Sequence, residues 1–183
     1  MPANKQPWLC EGSPWKTESA FWTWVRGVLR KGWSKHPIKL EYIKRHRSRI
    51  PNPKPNKRFP EVWGMICECC KQPTVQTNIE IDHIGEEGTF TGLRDVEGYV
   101  AHLFLVDYES LRAVCKPCHK IISYSQRSGM SFADAQIEKE VIDICKRKAK
   151  DVVAFCLDYG YNATELTNPE KRRKAVQTIL RSV

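Results

Sequence analysis

The chain has 183 residues with a formal net charge of +9, 41% hydrophobic and 28% charged. That length can bury a real core in one domain with attached arms, and the composition excludes a disordered polar tail. The longest uncharged run, residues 98–106, is far too short to cross a bilayer. The first fifteen residues lack the basic start and apolar stretch of a signal peptide, so a cytoplasmic location with no membrane partner is expected.

Taken in chain order, Thr17 or Ser19 can cap a helix reaching about residue 31, with Phe21, Trp22, Val25 and Leu29 at helical spacing and Gly32 as its stop. Residues 38–49 read as a second helix. The run 51–60 carries four prolines and is expected to be an extended basic linker. Residues 77–84 alternate and favour a strand, 95–104 a helix, 111–114 a strand, and 117–127 a helix ended by Gly129. Ser131 with Asp134 resembles a capping box opening a long helix that runs to Gly160. Asn168-Pro169 starts the last helix with a cap followed by proline. This divides the chain into a basic helical arm and linker (1–60), a cysteine-bearing core (61–130) and a helical extension (131–183).

Charge is segregated along the chain. Residues 26–58 hold twelve Lys and Arg against the single acid Glu41, whereas residues 59–118 hold four basic and ten acidic residues. The arm points to a polyanion, and an acidic stretch inside a polyanion-binding chain suits a divalent cation. The clearest chemical signal is Cys67-Glu-Cys-Cys70 paired with Cys115-Lys-Pro-Cys118. Two Cys-x-x-Cys knuckles present four thiolates to one tetrahedral zinc; Cys69 could replace Cys70 in the set. Eight cysteines in a reducing compartment fit this better than disulfides. Cys10, Cys145 and Cys156 read as ordinary thiols.

Between the knuckles lies Glu80-Ile-Asp82-His83-Ile84, and His119 follows the second directly. Adjacent strand residues point to opposite faces, so Asp82 and His83 can take different tasks. A carboxylate and an imidazole can hold a divalent ion while another imidazole acts as general base. On Cys67, Cys70, Asp82-His83 and Leu111-Arg-Ala-Val-Cys-Lys-Pro-Cys-His119-Lys, residues 62–126 resemble the HNH (ββα-metal, His-Me finger) endonucleases, in the zinc-bearing form of tailed bacteriophages. The resemblance implies an α+β fold: a zinc-stabilised ββα-metal core flanked by N-terminal and C-terminal helices. It implies Asp82 and His119 as ligands of Mg²⁺ or another divalent ion and His83 as the base. The family's middle asparagine is missing, and Ser110 holds the nearest equivalent place, with His102, Asp107 and Glu109 as nearby alternatives.

The expected function is hydrolysis of DNA phosphodiester bonds by a phage-encoded endonuclease, homing-type or packaging-associated, acting in the host-cell cytoplasm. Double-stranded DNA is the expected partner, with phage packaging or replication proteins beside it. Arg26, Arg30, Lys31, Lys44, Arg45, Arg47, Arg49, Lys54, Lys57, Arg58, Lys120 and Arg127 are the expected phosphate contacts, followed by Arg94, Arg112 and Lys116. The run Lys171–Lys174 reads equally as a solvated face or a second phosphate contact. Absence of the asparagine favours an alternative, a zinc-stabilised DNA-binding or phage-assembly protein with a weakened nuclease site.

Overall fold

The computed structural model describes residues 5–56, 58–85 and 90–182. The chain is α+β and divides into two compact units between Lys116 and Pro117. Among the described residues no helix is long and apolar enough to cross a membrane.

The first unit opens with α1 (Glu18–Trp33), whose N-cap Thr17 accepts a hydrogen bond from the Ala20 amide and whose first turn carries Glu18 against the positive helix end. Gly32, the expected stop, lies inside the helix. A Cβ there would stand 3.2 Å from the Phe104 ring, so this glycine serves a close approach and not a termination. Helix α2 (Pro37–His46) starts on proline and ends three residues short of expectation, because the chain then enters β1 (Ser48–Asn56).

That strand is the main departure from the linker expected at 51–60. Strand β1 pairs antiparallel with β2 (Phe59–Ile66), which pairs with β3 (Pro73–Val75). Order β1-β2-β3 leaves β1 at an edge, the position where a strand tolerates proline. The β1–β2 register shifts between Pro51 and Asn56, the stretch that carries Pro51, Pro53 and Pro55. Residues on both sides of this segment share one core: Trp22, Trp33 and Tyr42 pack with Met65, Ile81, Phe90, Tyr99, Leu103, Leu111 and Ala113.

A second sheet joins β4 (Ile79–His83) and β5 (Leu111–Cys115), with helix α3 (Val96–Phe104) in the segment between them. The β4–β5 register sets Ile79, Ile81 and His83 opposite Cys115, Ala113 and Leu111, and sets Asp82 opposite Arg112. Strand β5 runs without a break into α4 (Lys116–Ser128).

The second unit is helical. Gly129, at φ 68°, ends α4. Ser131 caps α5 (Phe132–Cys145), accepting from the Asp134 amide as its capping-box spacing predicts. The single long helix expected from 131 to 160 is two helices, α5 and α6 (Ala149–Asp158). Beyond Ile144 the next positions on its face are Arg147, Lys148 and Asp151, so an unbroken helix would turn three charges onto the core. Breaking it returns Val152 and Cys156 to the core with Val141, Ile144, Leu166, Ala175, Val176 and Ile179. Helix α7 (Pro169–Ser182) closes the unit, with Asn168 Oδ1 accepting from the Lys171 amide.

Gly64 marks the tightest point of the first sheet, where a Cβ would meet Ile50 Cδ1 at 2.3 Å and the Thr74 carbonyl at 2.7 Å. The backbone oxygen cannot move without breaking β2–β3 pairing. Gly64→Ala should therefore lower unfolding stability by about 1–3 kcal/mol, the usual cost of overpacking, measured by urea denaturation at unchanged m-value.

Candidate metal centre and its surroundings

The four knuckle thiols come together. The Sγ atoms of Cys67, Cys70, Cys115 and Cys118 all lie within 4.8 Å of one another. The first knuckle is the turn between β2 and β3, and the second is the junction of β5 with α4. Cys67, Cys115 and Cys118 are buried and Cys70 is exposed. Cys69 falls outside the cluster.

The donor chemistry fits a structural metal such as zinc. Burial alone would raise the Cys67 thiol, but backbone amides of Cys115, Cys70 and Cys69 and the Cys70 thiol outweigh it and hold the group at about 6. The Cys115 amide donates to Cys67 Sγ at 3.2 Å, and Cys70 Sγ stands 3.9 Å from Cys115 Sγ. Amides aimed at sulfur stabilise thiolate, the form that binds metal. Cys69 is pushed the other way, by burial and then by the charge of Cys67.

The knuckle also carries a contact that spacing alone did not reveal. Glu68 bonds Ala113 twice, amide to carbonyl at 2.8 Å and Oε1 from the Ala113 amide at 2.8 Å. The same Oε1 accepts the Tyr42 hydroxyl at 2.8 Å. Burial, then the Glu68 bond, pushes the Tyr42 phenol far above its ordinary range. One carboxylate thus ties the metal loop to β5 and to α2. The loop closes through Lys71, whose amide bonds the Cys67 carbonyl at 2.8 Å with φ at +59°.

The other expected site residues are placed as follows. Asp82, 15% exposed, accepts from Arg112 Nε at 3.0 Å and from its Nη2 at 2.8 Å, both on Oδ2. His83, 7% exposed, lies on the core face of β4. Its ring centre lies 4.3 Å from that of Trp33 and 4.9 Å from that of His102, both tilted against it, and Nε2 stands 3.4 Å from the Leu103 carbonyl at the end of α3. That carbonyl is one of the orphans at a helix C-terminus: the Asp107 amide, four residues on, donates to Ser110 Oγ at 3.0 Å.

Ser110 is engaged in that turn from both ends, since its hydroxyl also donates to the Asp107 carbonyl and its amide to Asp107 Oδ1. These bonds from Ser110 hold the Asp107 carboxyl below its ordinary range. The nearest link of Ser110 to the Asp-His pair is through backbone: its carbonyl accepts the Ile84 amide at 2.8 Å. His119 sits in the first turns of α4, half-buried, and belongs to the second unit, whereas Asp82 belongs to the first.

The basic residues divide by what they touch. Arg30 donates to the Tyr99 hydroxyl at 3.0 Å, a packing role. Lys44 and Arg45 flank Glu41, and Arg45 also lies over Tyr108. Arg47 and Arg49 cover Trp63, and Arg58 covers Phe59. Arg26 reaches Thr23, and Arg127 returns to the Ser123 carbonyl on its own helix. Lys31, Lys54 and Lys120 are exposed; Lys57 lies outside the described residues. In the run 171–174, Arg173 pairs with the buried Glu138 and Arg172 donates to the Leu166 carbonyl, so half of it is structural. No protein-family profile, curated protein or solved structure matches the chain.

Purified protein should hold about one tightly bound zinc per chain. Cys115→Ser should lose it and unfold the first unit, because binding supplies folding energy, about 10–16 kcal/mol in small zinc domains. Cys69→Ser should keep both metal and melting temperature. Metal analysis by mass spectrometry and thermal melts read both outcomes. Separately, Lys71→Gly should raise stability by about 0.5–1 kcal/mol, since glycine adopts the left-handed region without the Cβ clash that lysine suffers there; chemical denaturation measures it.

Proposed function

We propose that the chain is a metal-dependent endonuclease that hydrolyses DNA phosphodiester bonds, with the HNH type as its closest chemical pattern. One observation carries the reading: β4 pairs with β5 and β5 runs straight into α4, with Cys115 and Cys118 at that junction, Cys67 and Cys70 meeting them from the β2–β3 turn, and His83 closing β4. The basic residues of the α1–β2 region supply the electrostatic attraction to a nucleic acid.

Hydrolysis needs a deprotonated water, and His83 is the base. An Nε2–H donated to the Leu103 carbonyl orients the imidazole, as a general base requires. The orphan carbonyl of α3 thereby does the orienting work expected of the missing asparagine, and Trp33 holds the ring from one side. Asp82 is a residue that would hold a divalent ion, which when bound supplies charge neutralisation on the phosphate and the departing oxygen. A hard carboxylate suits such an ion, and Mg²⁺ needs few protein ligands because water and phosphate complete its shell. Arg112, donating twice to Asp82 Oδ2, fixes the direction of that carboxylate.

A second reading, a zinc-stabilised nucleic-acid-binding protein with a weakened nuclease site, draws on two features. Asp82 already answers Arg112, and His83 is nearly enclosed. A plasmid-nicking assay separates the two. Protein that cuts supercoiled DNA only with Mg²⁺, and whose His83→Ala variant binds DNA equally yet cuts about 10²–10⁴-fold more slowly, is the nuclease. Protein that binds and never cuts, with or without Mg²⁺, fits the second reading. Circular dichroism and zinc content of His83→Ala check that its core survives.

A further inference from the structure

The β1–β2 hairpin exposes a surface that core packing does not explain. In β2, Val62 is partly covered and Gly64 and Met65 are buried, whereas Trp63 and Phe59 stand 43% and 52% exposed. Trp63 pairs with Arg49 across the strands, on the face opposite the buried Ile50. The Arg47 guanidinium lies 4.4 Å and that of Arg49 5.3 Å from the Trp63 ring centre. Arg58 lies 5.3 Å from the ring centre of Phe59. Arg49 is held further by Glu61, through its side chain at 3.7 Å and its carbonyl at 3.1 Å.

We propose that this face docks single-stranded nucleic acid, with unpaired bases stacking on Trp63 and Phe59 and phosphates meeting Arg47, Arg49 and Arg58. The proposal rests only on the nucleic-acid-binding half of the nuclease reading and not on its chemistry. An outward tryptophan on an edge hairpin leaves a large apolar ring in water, a cost that a stacking partner removes. Bases in a duplex already spend both faces on their neighbours, so an exposed ring gains most from a strand whose bases are free. Charge argues for the same occupant: residues 26–58, which lead into this hairpin and form its first strand, carry twelve Lys and Arg against one acid. The guanidiniums are already ordered over the rings, so little freedom is lost when phosphate arrives.

The test is fluorescence anisotropy with the full chain, zinc retained and no Mg²⁺ added, so that cleavage plays no part. Labelled oligothymidylate and a hairpin duplex of similar length are compared for wild type, Trp63→Ala and Trp63→Phe. Trp63→Ala should weaken oligothymidylate binding about tenfold while changing duplex binding less than about twofold, and Trp63→Phe should recover most of the loss. Oligothymidylate quenching of tryptophan fluorescence should shrink in Trp63→Phe, a readout that does not depend on the alanine variant folding. Unchanged oligothymidylate affinity, or equal losses on both ligands, would overturn the proposal. Either result leaves the plasmid-nicking outcome standing, so failure here is distinct from failure of the nuclease reading.

Discussion

Four thiols drawn from two turns lie within 4.8 Å of one another and could hold one structural metal. Cys67 and Cys115 are 48 residues apart, and closing a loop of that size costs about 4 kcal/mol of chain entropy. A metal bound by all four offsets that cost with a margin that few other interactions in the chain could match. Around the cluster the backbone is already arranged for anionic sulfur. Three amides face Cys67, and their combined effect wins over a burial that would otherwise keep its thiol neutral. Lys71 accepts a left-handed backbone so that the turn can close, a small penalty beside the gain from metal binding.

From that junction the order spreads through Glu68. Its carboxylate is shared between the Ala113 amide and the Tyr42 hydroxyl, so β5, the knuckle and α2 are fixed by one side chain. Tyr42 in turn stacks on His46 at 4.0 Å, the last residue before the chain leaves α2 for the basic hairpin. The metal loop therefore governs the placement of both chemistries proposed for this unit. One is the β4–β5 pair carrying Asp82 and His83, and the other is the Arg–aromatic face of β1–β2. On the proposed reading, loss of a metal here would disturb cutting and binding together, whereas changes at His83 or Trp63 would act on one alone.

Much of this was legible in the sequence, because the signals were local. Thr17, Ser131 and Asn168 each cap a helix where their spacing to a following amide demanded it, and the paired Cys-x-x-Cys motifs announced a shared site. The misreadings came from residues whose meaning is set by distant partners. Gly32 reads as a stop until Phe104 is seen beside it. The prolines of 51–55 read as a linker until β2 is seen to make β1 an edge strand. The charges at Arg147, Lys148 and Asp151 did carry the break between α5 and α6, since they occupy successive core positions of a continuous helix.

On the proposed reading, the surroundings of His83 can replace the missing motif asparagine. What a general base needs is an acceptor for one ring N–H and a wall against rotation, and neither need is tied to asparagine. A helix that ends beside the strand provides a carbonyl with no helical donor left to claim it. A tryptophan on α1 provides the wall. The carbonyl comes from α3, inside the 62–126 stretch where the resemblance to nucleases lies, whereas the wall comes from α1, outside it. The N-terminal helices thus belong to the site in a mechanical sense. They complete the enclosure of His83 while the hairpin that follows them carries the positive charge outward. Burial of the imidazole and its orientation are then one arrangement, and the depth at which His83 sits follows from how tightly Trp33 and α3 must close to hold it.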